Sequence, residues 1–378
     1  MSELALANAK LVLADAVIEG SLRAVDGRIA AVDTGALSLP AAIDCEGDYL
    51  LPGLVDLHTD NVEKHVLPRP GVRWLPLSAI IAHDAQVISS GITTVFNALA
   101  IGCSMQIPER IEILVPMVAA IRTADARGML RASHRLHMRC EITDARVIEL
   151  FTPFVGDPLV GLMSVMDHAP GQRQSPDIAR YRDKQIRRLH LTEEEADRQI
   201  AALMHASATI GPANRAALAA IALANGIPVA SHDDATVDEI ELACRLGAVI
   251  CEFPTTRSAA EAARERGLSI LMGSPNVMRG GSQGGNVGAS DLAGSGHLDI
   301  LASDYVPISL LQGAFALTSI GLDLPAAVRA ASLDPAAAVG LDDRGEILVG
   351  KRADLVRVSI IEGLPVVKAV WSAGRQVY

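Results

Sequence analysis

The sequence predicts an α/β protein, a closed (β/α)8 barrel of the TIM type joined to a small β-sandwich built from both chain ends. The middle of the chain alternates short apolar strands with helices, the pattern of parallel βα units. Eight candidate strands can be counted there, at 53–58, 92–97, 134–141, 160–166, 227–231, 247–252, 268–273 and 298–303. The two ends have a different texture, short runs of alternating apolar and polar residues. Eight units fit a closed barrel better than an open doubly wound sheet. The open sheet is the alternative, although no dinucleotide-type glycine turn follows the first strand. The expected division is 1–50 plus 342–378 for the sandwich and 51–341 for the barrel.

Composition agrees with this class. Half of the 378 residues are apolar but only 3% are aromatic, so Ala, Leu, Val and Ile must fill the core. That mix suits buried parallel strands under alanine-rich helices. The five cysteines, at 45, 103, 140, 244 and 251, are odd in number and lack close pairs. A disulfide framework or zinc knuckle is therefore not expected, and a reducing compartment is the default. No apolar run approaches the ~20 residues of a membrane span, and the first ten residues lack the basic and apolar regions of a signal peptide. A cytoplasmic protein without a membrane partner is expected. The formal charge of −11 argues against a general nucleic-acid surface, but it leaves room for an anionic ligand in a local basic pocket. A homo-oligomer is as compatible with the composition as a monomer.

Taken in order, residues 7–13, 17–25 and 28–32 read as strands, with Asp26-Gly27 as a hairpin turn between the last two. Segments 345–358 and 366–371 repeat this texture at the far end. Within the barrel region, Thr192 with Glu195, Thr236 with Glu239 and Ser258 with Glu261 have capping-box spacing. Gly247 and Gly267 are placed to end the latter two helices.

In a barrel of this kind the chemistry collects where strands end. The first strand ends in His58 and Asp60, two apart and thus on one side of the strand. One imidazole and one carboxylate converging there is how a divalent metal is presented. The bland alternative is a satisfied surface histidine and a turn aspartate. The second strand ends in Asn97, and the third carries His137, Arg139 and Glu141 on one face. The fourth is followed by Asp167, His168 and Arg173, the fifth by His232, Asp233 and Asp234. Glu252 ends the sixth, Asn276 follows the seventh, and Asp304 follows the eighth.

Three histidines and several carboxylates at one topological level favour a site for one or two divalent metal ions. Its candidate ligands are His58, Asp60, Glu141, His168, His232 and Asp304. Glu141 is the candidate bridging carboxylate, against a simple ion pair with Arg139 or Arg135. Asp304 is the candidate general base, against a helix cap. Asp233 and Asp234 are read as supporting or capping groups. Nitrogen and oxygen donors suit Zn²⁺, with Mn²⁺ or Fe²⁺ as alternatives.

The loop 276–286 is glycine-rich and carries Arg279. Its amides can cradle an anion, and Arg279 adds bidentate phosphate recognition; the alternative is a ligand-free lid. Arg69, Arg73, Arg135, Arg139 and Arg173 sit on neighbouring loops or strands. Such clustering in a net-acidic chain points to a multiply anionic substrate. Arg279, Arg135, Arg139, Arg173 and Asn276 are the candidate substrate-binding residues.

The stretch 51–60, the late segment 350–356 and the segment 334–341 resemble the amidohydrolase superfamily of metal-dependent barrels. Segments 58–61, 134–141, 166–174, 231–236, 252–256 and 279–286 are similar to one branch of it, the triphosphate diphosphatases of the bacterial carbon–phosphorus lyase pathway. That resemblance implies cleavage of α-D-ribose 1-methylphosphonate 5-triphosphate to the 5-phosphate and pyrophosphate, with a metal-activated water as nucleophile and Mg²⁺ on the substrate. Two departures stand out. His58 is followed by Asp60 where the superfamily usually has a second histidine, and strand six ends in Glu252 where many members place a histidine. No lysine is placed to bridge metals. The rival readings are a C–N hydrolase of the same superfamily (a deacetylase, dihydropyrimidinase-like enzyme or deaminase) and a metal-free scaffold.

Overall fold

The computed structural model describes residues 3–35, 41–102, 109–282 and 284–378. Cys103 and Gln283 of the glycine-rich loop lie outside the described residues; Cys45, Cys140, Cys244 and Cys251 are free thiols. The strands are β1 (Glu3–Val12), β2 (Val17–Val25), β3 (Arg28–Thr34), β4 (Ile43–Asp44), β5 (Tyr49–Pro52), β6 (Leu54–Thr59), β7 (Ile92–Ile101), β8 (Ser133–Glu141), β9 (Val160–Met166), β10 (Val229–His232), β11 (Ala248–Glu252), β12 (Ser269–Gly273), β13 (Ile300–Ala302), β14 (Leu355–Ile361), β15 (Leu364–Ser372) and β16 (Arg375–Gln376).

Strands β6 to β13 form an eight-stranded sheet in sequential order, with every neighbouring pair parallel. The first and last strands meet at the carboxyl end. Asp60 N donates to Asp304 O at 2.8 Å, and Asp304 N donates to His58 O at 2.9 Å. The seam that closes the barrel thus runs through the residues singled out for chemistry. Val55, Leu57, Phe96, Leu162, Ile250 and Leu271 fill the interior.

The remaining strands form one sheet from both ends of the chain, ordered β16-β15-β14-β5-β1-β2-β3, with β4 beside β1. Period-two alternation gives this sheet two apolar faces. Leu50, Leu355, Ala369 and Trp371 join one core within it. Their neighbours Leu51, Val356 and Val370 turn the other way and pack against barrel helices with Leu310 and Leu317. Asp26 and Gly27 adopt φ of 48° and 80°, giving the expected tight turn between β2 and β3.

The two terminal motifs meet where this sheet hands the chain to the barrel. Leu51 pairs with Val356 and Pro52 with Leu355, and Gly53 N donates to Asp354 O at 2.8 Å. A Cβ at position 53 would lie 2.2 Å from Thr93 Oγ1, so only glycine fits this approach. Asp354 is held by Arg352 at 2.8 Å and by Ala373 N at 2.7 Å. The junction anchors the start of β6 and so fixes where His58 emerges at the far end.

Thr192 and Thr236 make the expected capping boxes. The helix Arg257–Glu265 departs from expectation: Thr256 caps it, accepting from Ala259 N at 3.1 Å, and Ser258 lies inside. Gly247 and Gly267 both have φ of 75°, as the left-handed residue past a helix end requires. β7 runs on to Ile101, which leaves Asn97 in mid-strand, bonded to His83 and His134 instead of facing the barrel mouth. No described helix is long and apolar enough to cross a membrane.

Candidate active site

A cavity of about 560 Å³ opens at the carboxyl ends of the barrel strands, with His58, Asp60, His232, Asp233 and Asp304 on its floor and Arg139 in its wall. The loop after β9 builds one side, because it carries two additional helices, Ile178–Leu189 and Glu193–Thr209. Asn276, Arg279 and the glycine-rich segment build the opposite side.

Two sets of donors converge. His58, Asp60 and Asp304 each offer an atom within 4.8 Å of the others, as do His168, His232 and Asp233. Each first-strand and fourth-strand histidine is held from behind by a carboxylate. His58 Nδ1 lies 2.7 Å from Glu252 Oε1, which leaves Nε2 facing Asp60 Oδ1 at 3.3 Å. His168 Nδ1 lies 2.8 Å from Glu141 Oε2, which leaves Nε2 facing Asp233 Oδ2 at 3.8 Å. This carboxylate–imidazole pairing fixes the ring and its tautomer in metal sites. Glu252 links the sets, since Oε2 stands 3.7 Å from His232 Nε2. Among the described residues no aligned hydrogen bond satisfies the buried Glu252 Oε2, nor His232 Nδ1 and Asp233 Oδ2, which are buried and face each other at 3.0 Å. Buried polar atoms are rarely left so, and a cation among them is the partner their chemistry fits.

His137 and Glu252 also cluster with His58. His137 is nevertheless already satisfied, with Nδ1 3.0 Å from Leu57 O and Nε2 3.0 Å from Ser164 Oγ. Burial pushes its pKa down to about 3, so it is neutral and structural.

The electrostatics fit a cation-seeking site. Burial alone would depress His58, but Glu252 and Asp60 beside it raise it to about 10. Burial likewise works against the Asp60 charge, yet Arg139 and His58 hold the carboxyl well below its usual range. Glu252 is held low in the same way by His58. Asp304 differs: burial, reinforced by the Asp60 charge, lifts it to about 6. It has φ of 55° and does not cap the following helix, which begins at Ser309 behind Ile308.

The structure gathers His58, Asp60, His232 and Asp304 around one cavity and adds Asp233, read from the sequence as a supporting group; His168 stands beside His232 and Asp233 but does not line the cavity. Glu141 belongs to neither donor set: its carboxylate lies 2.8 Å from His168 Nδ1 and accepts from Thr143 Oγ1 at 2.8 Å. Glu252 occupies the more central place. It ends the sixth barrel strand, β11, as counted.

Among the arginines, Arg139 spans the two donor sets, with Nη1 2.7 Å from Asp60 Oδ1 and Nη2 3.5 Å from His232 Nε2. Arg279 and Asn276 line the cavity. Arg135 is a correction. It shares a face with Arg139 but lies near the amino end of β8, six residues or roughly 20 Å below Glu141, and donates to Pro158 O at 3.2 Å. Arg173 is another. It is buried behind β10, held by His232 O and Asp234 Oδ1, both at 2.7 Å, and by Glu239 at 3.3 Å. Arg69 and Arg73 lie outside the cavity lining, and Arg73 pairs with Glu112. Arg173→Met should cost about 3–5 kcal/mol of unfolding free energy, because the buried Asp234 loses its charged partner. Urea denaturation reads this, and a loss near zero would show that Arg173 is not what holds it.

Comparison with known proteins now places the chain. Residues 49–377 match the Amidohydrolase family. The chain belongs to that family. Among its relatives, the α-D-ribose 1-methylphosphonate 5-triphosphate diphosphatase of Escherichia coli K12 is 45% identical over 374 residues, 98% of this chain and 99% of that protein. Solved amidohydrolase-like structures agree in fold. An N-acetylglucosamine-6-phosphate deacetylase from Pasteurella multocida superposes with a TM-score of 0.63 at 15% identity, covering 99% of each chain. An adenosine deaminase from Xanthomonas campestris gives 0.59 at 18%, covering 99% of this chain and 92% of that one. This amidohydrolase is a hydrolase, and its His, Asp and Glu clusters can hold a divalent metal.

Proposed function

We propose that this amidohydrolase is a metal-dependent diphosphatase that cleaves α-D-ribose 1-methylphosphonate 5-triphosphate to the 5-phosphate and pyrophosphate during phosphonate breakdown. The observation that carries the reading is its 45% identity, along nearly the whole chain, to the Escherichia coli diphosphatase. The cavity is chemically suited to it, with carboxylates and imidazoles on the floor and cationic groups above. The reading implies a small phosphorylated ligand and a cytoplasmic setting. It also takes 51–341 as the catalytic barrel and 1–50 with 342–378 as the terminal unit.

His58, Asp60 and Asp304 would hold one ion; His168, His232 and Asp233 would hold a second, with Glu252 between them. Zinc suits these donors first, and manganese or iron are the alternatives. A bound divalent ion supplies a Lewis acid and brings the pKa of water toward ~7. The chain's own groups do the rest. Asp304 accepts the proton of the attacking water. Arg139 offsets the Asp60 charge and fixes its carboxylate. Asn276 and Arg279 face the incoming phosphates. The water attacks the phosphorus nearest the ribose, in line with the departing pyrophosphate, whose charge is offset by arginine and by Mg²⁺ carried on the substrate.

The test is pyrophosphate release from the triphosphate by purified protein, with metal analysis alongside. Chelation should abolish release and restored metal should recover it. Hydrolysis of amides or deamination of nucleobases with the triphosphate left intact would overturn the proposal. Arg279→Ala should raise KM for the triphosphate about tenfold, the loss of one charge-assisted contact, with kcat changed by less than a few-fold. An unchanged KM would remove the loop from the site.

A further inference from the structure

The helix Ile178–Leu189 carries charges that the reading above does not use. Asp177, Arg180, Tyr181 and Lys184 recur at the i, i+3, i+4, i+7 spacing of one helical face, and all four line the cavity. Asp177 is occupied as the helix cap, accepting from Arg180 N at 3.0 Å. Arg180 reaches across the mouth, with Nη1 3.5 Å from Gly284 O of the glycine-rich segment. Among the described residues, no carboxylate pairs with Lys184 or with Arg279 opposite it. Arg139 and Arg173, deeper in the protein, are both paired with aspartates. The helix is braced from outside: Arg182, on another face, binds Asp197 at 2.5 Å and Glu193 at 3.1 Å on the neighbouring helix, and Tyr181 packs with Ile200 and Leu203. Asp60, Asp233 and Asp304 thus stand on the cavity floor, and three cationic side chains, Arg180, Lys184 and Arg279, line its rim beside the capping Asp177.

From this segregation we propose that Arg180 and Lys184, facing Arg279, form the subsite that holds the terminal pyrophosphoryl group of the substrate and of the departing product. The proposal rests on the diphosphatase reading. Charge decides which end of the substrate points outward. The pyrophosphoryl group is multiply anionic, while the methylphosphonate ester at the other end of the ribose carries a single charge, so a rim of three cations selects the former. With the pyrophosphoryl group outward, the phosphorus nearest the ribose lies toward the metal-capable floor. The leaving group then departs toward solvent without passing the carboxylates.

The experiment is a calorimetric titration of the metal-loaded protein with magnesium pyrophosphate and, separately, with ribose 5-phosphate. Arg180→Ala and Lys184→Ala are compared with wild type and with Lys368→Ala, which removes one charge from the exposed face of β15. Each rim variant should weaken pyrophosphate binding about tenfold and leave ribose 5-phosphate within about twofold, while Lys368→Ala changes neither. Both rim residues are exposed and should leave the thermal midpoint unchanged. Unchanged pyrophosphate affinity in the rim variants, an equal loss in Lys368→Ala, or a loss confined to ribose 5-phosphate would each overturn the subsite. Wild-type protein that fails to hydrolyse the triphosphate would instead remove the reading beneath it. Intact hydrolysis with unaltered pyrophosphate binding in the variants removes the subsite alone.

Discussion

Asp304→Asn should lower kcat by about 10²–10⁴-fold, the contribution of a positioned general base, while KM for the triphosphate stays within a few-fold. The substitution keeps the shape and removes the proton acceptor. Three features single out this carboxylate. It sits at the seam where the first and last barrel strands meet, and its backbone bonds to His58 and Asp60 lock it in register with the donor set. Burial lifts its carboxyl to about 6, so it is a better base than its neighbours. Asp60, by contrast, is held low and committed to Arg139. Steady-state kinetics with metal analysis of the same preparation decides the matter. A variant that retains metal and turns over like wild type would remove Asp304 as the base. Low turnover accompanied by metal loss would make it a ligand only.

Much of this site can be read from the sequence because a barrel brings strand ends to one level. Once eight strands are counted, His58, Asp60, His168, His232 and Asp304 fall on that level without any knowledge of packing. What the sequence does not carry is which carboxylate faces which imidazole. Glu141, Asp233 and Glu252 all stand at strand ends. Only three-dimensional placement shows that Glu141 turns behind His168, that Asp233 enters the cavity with φ of 57°, and that Glu252 lies between the two donor sets. A left-handed aspartate directly after a histidine at a strand end is a usable signal in hindsight, since that conformation redirects the side chain. Arg135 misleads for the opposite reason: alternation places it on the face of Arg139, but depth along the strand is a separate coordinate that periodicity ignores. Arg180 and Lys184 sit on a helix inserted after the fourth strand, where a strand-end reading has no purchase.

Glu252→Gln should destabilise the metal-stripped protein by about 3–5 kcal/mol near pH 6, because it takes from the buried His58 the nearer of its two carboxylates, at 2.7 Å. The pH dependence follows from the two shifts. His58 has a folded pKa of about 10, above its unfolded value, so its contribution is fully present below about 6.5 and is lost as pH rises through about 10. Glu252 is shifted downward when folded, so its contribution is present above about 4.5 and is lost only on strong acidification. The gap between wild type and variant should therefore be widest between roughly pH 4.5 and 6.5 and should narrow toward pH 10. Urea denaturation of EDTA-treated protein at pH 6 and pH 9.5 measures it. A gap that stays constant between those values would mean that packing, not the ion pair, is what the substitution disturbs. In metal-loaded protein the same variant should bind metal about 10–100-fold more weakly, the usual cost of removing the group that orients a ligating histidine. One side chain thus does two things. Without metal it balances the charge of His58, and with metal it fixes the ring so that Nε2 faces Asp60 and Asp304. A histidine in its place could add a donor but could not neutralise a protonated His58. Asp60 on the first strand and Glu252 on the sixth are therefore coupled, and His58 is the residue through which they are coupled.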